Sequence, residues 1–593
     1  MARGLLQLAR KGACVVPKCA RVLERMTKMS RIRLAMASGA LFLLALAVHA
    51  EPAHACGGLF CSATAPVNQA AERIIFSKNE DGSVTAVVQI QYEGPSEEFA
   101  WVLPVPGIPE VKVSSDLAFT RLQQASNPQY SFTTEVEGRC KQRRGDNSDS
   151  FGSPTEGAGG SGGSGGAGRD GIDILASGSV GPYDYVVIRP DTSFDNVGDV
   201  VVEWLTTEGY DVVPPGGDPE DIADLLGGYM LDGMNLLAFR LTKGNSTGTI
   251  RPIWITYESD QPMIPIRPTA VAANDDMGVM VWVLGESRAV PVNYKALELN
   301  LVLINWLNGA QNYNQVVVAA ANEAGGQGFV AERAGPSSDY ENSIIFPFER
   351  DDWEALRMSA SALSPVEVVK ESAWRFAGWD GYRALAERFI PESVGVDAFL
   401  SCPSCYDDAL ANIDARAFIE DLEEEVVEPM IATQDLLDSR PYITRLYTTL
   451  SAPEMDLDPL FDFNPDLPNV SNLHTARRVI ECDRSVYQDE APTRFELEDG
   501  RVVRLHQGDP WPFDTTDEEP LPANARVLAL TTSGSGTVVT DNAKAIDEAL
   551  TQHNATVASP GCGCGVVSPR AHVGTWASLA LFAVFRRRRR QPA

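Results

Sequence analysis

Two groups of side chains in this 593-residue chain have the types and spacing to do chemistry. The first is Cys402-Pro403-Ser404-Cys405. In a redox enzyme such a pair follows a strand and opens a helix, whose dipole stabilises the first thiolate. A strand at 396–400 and a helix at 406–422 would permit that arrangement. A thioredoxin core also needs a surrounding βαβ sheet, and these flanks have helical periodicity, so the expectation is a structural bridge, with thiol-disulfide exchange as the competing reading.

The second group is Asp456, Asp458, Asp462, Asn464 and Asp466, which crowd oxygen ligands into a Pro-rich loop, as Ca²⁺ requires. Counted from Asp462, Leu467 stands where an EF-hand needs Gly, and Leu473 where it needs the bidentate Glu. The expectation is a structural Ca²⁺ site of another kind; the alternative is a polar loop held by Asx-turns. His474, His506 and His553 all lie in the C-terminal part, so a triad or zinc site in the preceding β-rich region is hard to build. There is no H-E-x-x-H and no P-loop, and the G-x-S-x-G around Ser161 sits in a Gly/Ser run without the strand and helix a nucleophile elbow needs. No catalytic residue is assigned.

The charge balance excludes one class of partner. The chain holds 49 Lys plus Arg against 80 Asp plus Glu, net -31, and its basic residues concentrate at the ends. Residues 1–55 carry nine basic and two acidic side chains and Arg586–Arg590 add five more, so the intervening body is more acidic still. Such a body repels phosphate backbones, and nucleic acid is not expected as a partner. Acid for solubility is the plain explanation, and divalent cations or basic surfaces are the partners it would favour.

Both ends carry address signals. Lys28, Arg31 and Arg33 precede an apolar run at 34–48, and Ala53-His54-Ala55 offers small residues at a signal-peptidase site, with Met26 or Met29 expected as the true start. Cleavage after Ala55 makes Cys56 the first mature residue. That raises lipid attachment, although Ala53 stands where a lipoprotein signal usually has Leu. At the other end Cys562-Gly563-Cys564-Gly565 precedes an apolar stretch at 573–585 and the five arginines. Thirteen residues are fewer than the roughly 20 needed for a membrane-spanning helix, so the segment reads as a processed sorting tail, with a short anchor as the alternative.

Cys56, Cys61, Cys140, Cys402, Cys405 and Cys482 remain once leader and tail are set aside. An even number in an oxidising compartment implies disulfides, and Cys56 with Cys61 and Cys402 with Cys405 are the local pairs.

Stepping along the chain, 73–77 and 83–92 read as a hairpin opening a half-buried antiparallel sheet, with 99–105 as an edge strand. Residues 145–171 collapse mainly to Gly, Ser and Asp, a flexible linker. Beyond it come a strand at 183–188, helices at 197–207 and near 219–230, and strands at 236–241, 250–257, 264–272 and 279–284, the last two joined by a turn at 274–278. After 350 the period turns helical, with a capping box at Ser364-Pro365-Val366-Glu367 and a second helix at 414–427. A hairpin at Asp499-Gly500, a strand at 527–531 and a helix at 543–553 complete the chain.

Two resemblances rest on these residues. Cys562 to Arg590, in the order small residues plus Cys, apolar stretch, arginines, resembles the MYXO-CTERM sorting tags. That resemblance implies cleavage and lipid attachment near Cys562 or Cys564 and a place on the outer surface. Ala55-Cys56-Gly57-Gly58-Leu59-Phe60-Cys61, Phe99-Ala100-Trp101-Val102-Leu103-Pro104-Val105-Pro106, Val180-Gly181-Pro182-Tyr183-Asp184 with Trp204-Leu205, and Pro265-Ile266-Arg267-Pro268 are similar to a bacterial family catalogued as domain of unknown function twenty-three thirty. This second resemblance implies an exported protein and carries over no catalytic residue.

The expected architecture is α+β: a signal region at 1–55, a β-rich, mainly antiparallel domain at 56–350 with its linker, a helical domain at 351–455, an Asp-rich loop and small α+β part at 456–560, and the tag at 561–593. The expected function is a non-enzymatic binding or structural role at the cell envelope, at the outer-membrane surface, reached through attached lipid or the tag and the envelope processing machinery. Thiol-disulfide exchange and calcium-dependent adhesion are the alternatives.

Overall fold

The hairpin forms, longer than the alternation implied: β1 (Asn68–Lys78) and β2 (Ser83–Glu93) pair antiparallel across a turn in which Gly82 takes φ +94°. The computed structural model describes residues 68–93, 100–141, 172–194, 196–210, 212, 218–241, 248–249, 251–271, 273–506, 508–513 and 520–557. Next come β3 (Ala100–Val105), β4 (Glu110–Val113), β5 (Gln129–Gly138), β6 (Ile172–Val180), β7 (Tyr183–Pro190), β8 (Asn235–Leu241), β9 (Gly248–Thr249), β10 (Ile253–Glu258) and β11 (Ala273–Gly285). The second half adds β12 (Ala289–Pro291), β13 (Lys295–Leu299), β14 (Gly328–Pro336), β15 (Tyr442–Leu450), β16 (Phe461–Phe463), β17 (Leu473–Cys482), β18 (Pro492–Glu496), β19 (Val502–His506), β20 (Asn524–Ala529) and β21 (Thr537–Asp541).

Eleven strands make one long sheet in the order β21-β20-β13-β14-β15-β11-β1-β2-β10-β4, with β9 on β2. Two four-stranded sheets, β3-β8-β7-β6 and β19-β18-β17-β5, flank it. Pairing is mainly antiparallel, with β1–β11, β13–β14 and β5–β17 parallel, and the class is α+β.

Both faces of the long sheet are covered, which corrects the half-buried reading. Ile74, Phe76, Ala86, Val88, Val279, Val281 and Val283 point toward β3-β8-β7-β6, while Ile75, Val87, Met280, Trp282 and Leu284 point toward helices. A sheet sandwiched this way needs apolar residues at consecutive positions, as Ile74-Ile75-Phe76 and Val279 to Leu284 supply. The outer face of β3-β8-β7-β6 is closed by helices Val197–Thr207 and Pro219–Leu231 around Val201, Leu205 and Leu226. β3 is the edge of its sheet, where Pro104 and its missing N–H are tolerated.

Two local readings are overturned. The stretch 264–272 is not a strand: Pro265 and Pro268 remove ladder donors, and Arg267–Val271 closes as a 3₁₀ turn. The stretch 274–278 is not a hairpin turn but a bulge inside β11, where the register jumps from Gln69 opposite Ala273 to Ala71 opposite Gly278 and Asp276 takes φ 53°. The capping box at Ser364 forms as read, with the Glu367 carboxylate accepting from the Ser364 N–H at 2.8 Å.

The helix starting at the Asp414 cap runs through Ala415–Leu422 and then widens into a π turn at Glu423–Val427. Pro429 has no N–H to offer the Glu425 carbonyl four residues back. The Arg251 guanidinium donates to that carbonyl instead, and helix Glu428–Asp438 follows.

The helices from Pro347 to Asp438 share a core with the sheet, placing Trp353, Phe376, Leu385, Phe418 and Leu437 against Trp282 and Leu284. β15 leaves these helices to run between β14 and β11. Among the described residues the sheets and the helices fall in one contact unit.

Candidate functional site

The helix-covered face carries two cores side by side. One lies under helices 347–438, and the other lies between β13–β14–β20 and the sheet β19-β18-β17-β5, where helix Tyr313–Glu323 packs. Tyr447 touches both, and in the seam sit Glu332 and Arg445, whose side chains are 1% and 2% exposed.

Glu332 reaches the seam because β14 bulges. Ala331 stands opposite Leu446 and Arg333 opposite Arg445, so Glu332 is the extra residue, and a bulge re-aims a side chain. Its Oε2 lies 2.6 Å from Arg445 Nε, and its Oε1 accepts from the Tyr313 hydroxyl at 2.7 Å. Arg445 Nη1 also donates to Ser126 Oγ at 3.0 Å and to the Gln123 carbonyl at 3.2 Å, and the guanidinium lies 5.5 Å from the Trp282 ring centre. Burial pushes the Glu332 carboxyl up, opposed by Arg445. Burial, reinforced by Glu332, pushes the Tyr313 phenol far up, so Tyr313 remains a donor.

A cavity of about 500 Å³ opens beside this network. Tyr130, Tyr313, Glu332 and His474 supply polar groups, and Leu297, Leu299, Val330, Leu528 and Leu530 supply apolar wall. Tyr130 on β5 stacks on His474 of β17 at 4.5 Å and 14°, and His474 Nδ1 lies 2.6 Å from the Glu498 carboxylate. At the rim Arg526 forks Glu298, with Nε–Oε2 at 2.7 Å, and Arg288 also lines the wall. Cavities of this size with a few convergent polar groups take small organic ligands.

The register that stacks Tyr130 on His474 is held at the far end of the β5–β17 pair by a Cys140–Cys482 disulfide. Gly138 must be glycine there: φ is +86°, and a Cβ would meet the Cys482 carbonyl oxygen at 2.1 Å.

Cys402 and Cys405 are bonded to each other, as read. Residues 396–401 form a helix rather than a strand, so Cys402 caps a helix C-terminus, the negative end of the dipole, where a thiolate is disfavoured. Asp407 and Asp408 follow it. Cys56, Cys61, Ala55, Cys562 and Cys564 lie outside the described residues.

The five oxygen-bearing residues of the Asp-rich loop are not brought together. Asp456 accepts from Gln327, Asp458 from the Tyr229 hydroxyl at 2.6 Å, and Asp462 from Gln261 at 2.8 Å. Asn464, fully buried, donates to the Thr531 and Gly534 carbonyls at 2.6 and 2.9 Å, and Asp466 accepts from the Gly534 N–H at 2.7 Å. The five side chains pin the loop to four segments, Asn464 and Asp466 sharing the one at 531–534. Among the described residues no group of three acidic, His or Cys side chains is placed to hold a metal ion.

A second cavity of about 250 Å³ lies between the long sheet and β3, lined by Leu103, Pro104, Val105, Ile255 and Pro265. Among the described residues no helix is long and apolar enough to cross a membrane.

Sequence reasoning missed the larger cavity because its polar residues come from β5, β14, β17 and helix Tyr313–Glu323, separated by up to hundreds of positions. The one readable signal was the charge of Glu332 inside the apolar segment Phe329-Val330-Ala331.

These features define an α+β protein with a long central sheet, sheet and helix layers on its two faces, and a polar-walled cavity at the seam. Residues 50–342 match the family model described as uncharacterized protein conserved in bacteria (DUF2330). No curated protein and no solved structure matches the chain.

Proposed function

We propose that this chain is an exported protein held at the outer surface of the cell envelope, where it binds a small molecule in the cavity beside Glu332 without transforming it. The observation that carries this reading is the cavity itself. It has the volume of a ligand site, apolar walls, and polar groups that are already committed to protein partners. Glu332 is held by Arg445 and Tyr313, and His474 by Glu498 and the Tyr130 ring, an arrangement that orients groups rather than freeing one to take a proton. The signal sequence, the sorting tail and the bridged cysteines support the address, with the membrane reached through the tail or attached lipid.

The test uses Val538, a half-exposed residue of the cavity wall whose enlargement leaves the buried core untouched. The anionic dye 1-anilinonaphthalene-8-sulfonate is titrated into the native protein and into Val538→Trp. A saturable site that weakens in the variant is expected. Equal binding to both proteins, or none to the native one, overturns the reading.

A further inference from the structure

The cavity between the long sheet and β3 exists because one row of the sheet is short of side chain. Phe76, Ala86 and Ile255 are cross-strand neighbours on β1, β2 and β10, and the Ala86 methyl leaves space between its larger partners. The facing wall takes Pro104 and Pro106 from β3 and its exit and Pro265 from the 3₁₀ approach, residues with no N–H to offer. Three tyrosines are buried in the core on this side of the sheet. Tyr183 and Tyr294 donate to the Arg251 and Leu457 carbonyls at 2.6 and 2.7 Å. Tyr257, 8% exposed, lines the cavity, and its hydroxyl has no hydrogen-bond partner among the described residues. The oxygen is not sealed in: it keeps accessible surface, and the cavity is the open space beside it.

A buried phenol ordinarily finds a partner, and one left without is costly. Burial alone pushes this phenol up, with no neighbouring charge or hydrogen bond contributing, so it remains a donor. The charges of the wall set a second condition. Glu72 is buried and already has a partner, Asp260 is exposed at the mouth, and no Lys, Arg or His lines the cavity. An anion would leave water with no cation to meet it. The unmet group is the hydroxyl, and a hydroxyl donor selects an acceptor oxygen.

We propose that this cavity is a second ligand site, for uncharged, mainly apolar molecules that offer one acceptor oxygen, as a ketone or ester does, to the Tyr257 hydroxyl, with the body lying against Phe76, Ala86 and Ile255. An apolar cavity of about 150 Å³ takes benzene, so one of about 250 Å³ takes a molecule of roughly ten non-hydrogen atoms. The site is independent of the seam cavity, with which it shares no lining residue. It discriminates by charge: a carboxylate of the same length meets only acids in the wall, whereas the ketone satisfies the phenol.

The experiment is calorimetric titration of 2-octanone and of octanoate, equal in chain length, into the disulfide-intact protein and into Tyr257→Phe, Met234→Trp and Val538→Trp. The native protein is expected to bind 2-octanone saturably and octanoate at least about tenfold more weakly, and Tyr257→Phe to lose about fivefold in 2-octanone affinity. Met234→Trp, which enlarges a half-buried residue lining the cavity, abolishes binding, and Val538→Trp leaves it unchanged. Because the hydroxyl has no protein partner, unliganded Tyr257→Phe melts no lower than the native protein. No binding of 2-octanone, octanoate bound as tightly, undiminished binding by Tyr257→Phe, or a Tyr257→Phe melt lowered by several degrees overturns the proposal. Binding lost in Val538→Trp and kept in Met234→Trp puts the ligand in the seam cavity, so that this second site falls while the seam reading stands.

Discussion

Arg445 and Glu332 meet at 2.6 Å with side chains that are almost wholly buried, and they join the core under the helices to the core beside the cavity. Removing one partner leaves the other charge without water or counter-ion, so Glu332→Gln or Arg445→Met is expected to lose about 3–5 kcal/mol of stability. The double variant Glu332→Leu/Arg445→Met restores much of that loss, because both desolvation costs disappear together. Denaturant unfolding of the three variants measures this, and additive losses would show that the two side chains act independently.

The two described disulfides differ in what they close. Cys140–Cys482 spans 342 positions and locks the β5–β17 ladder, whereas Cys402–Cys405 closes a loop of three. By chain entropy the first is worth on the order of 5 kcal/mol. Cys140→Ala/Cys482→Ala is therefore expected to lower the melting temperature by many degrees and to weaken ligand binding, since the Tyr130–His474 stack loses its restraint. Cys402→Ala/Cys405→Ala changes the melt far less. Comparable shifts in the two melts would refute this ranking.

Asp116, at the start of helix Asp116–Ser126, carries a carboxyl that burial raises to about 7, with Asp380 beside it reinforcing the effect and Gln89 and the Arg73 and Arg251 guanidinium groups opposing it. A folded-state pKa above the unfolded one gives stability that is complete below about pH 4 and is lost as pH rises through about 7. Asp116→Asn keeps the acceptor for Gln89 and cannot ionise. It should remove a loss on the order of 4 kcal/mol between pH 4 and 8, measured by urea unfolding at each pH. Parallel pH profiles for native and variant protein would contradict the assignment.

In the Asp-rich loop the side chains hydrogen-bond to protein partners, and among the described residues no three acidic, His or Cys side chains are placed to hold a metal ion. Melting temperatures in calcium and in chelator are expected to coincide, whereas Asn464→Ala, which removes a fully buried side chain and its two hydrogen bonds to the 531–534 segment, should cost about 1–3 kcal/mol. A calcium-dependent melt would revive the metal reading.

Much of the local structure was legible because local physics determines it: the Asn79–Gly82 turn, the Ser364–Glu367 box, the Asp499-Gly500 hairpin and the Cys402–Cys405 pair each depend on neighbours in sequence. The bulge at 274–278 was misread because Asn, Asp and Gly favour turns and bulges alike, and only the β1 partner decides between them. Likewise Glu332, Arg445, Tyr130 and His474 carry no shared spacing. Their meeting depends on β15 inserting beside β14 and on β5 pairing with β17, long-range choices that no local pattern encodes.

Intact-mass analysis of protein taken from native envelopes decides whether the chain is exported, held at the surface and loaded with a ligand in the seam cavity. The expected result is a chain trimmed after Ala55 and near Cys562 or Cys564, lipid on a terminal cysteine, no free thiol at Cys140, Cys402, Cys405 or Cys482, and a small organic molecule released on denaturation. A full-length, untrimmed polypeptide with reduced cysteines and nothing released would contradict it.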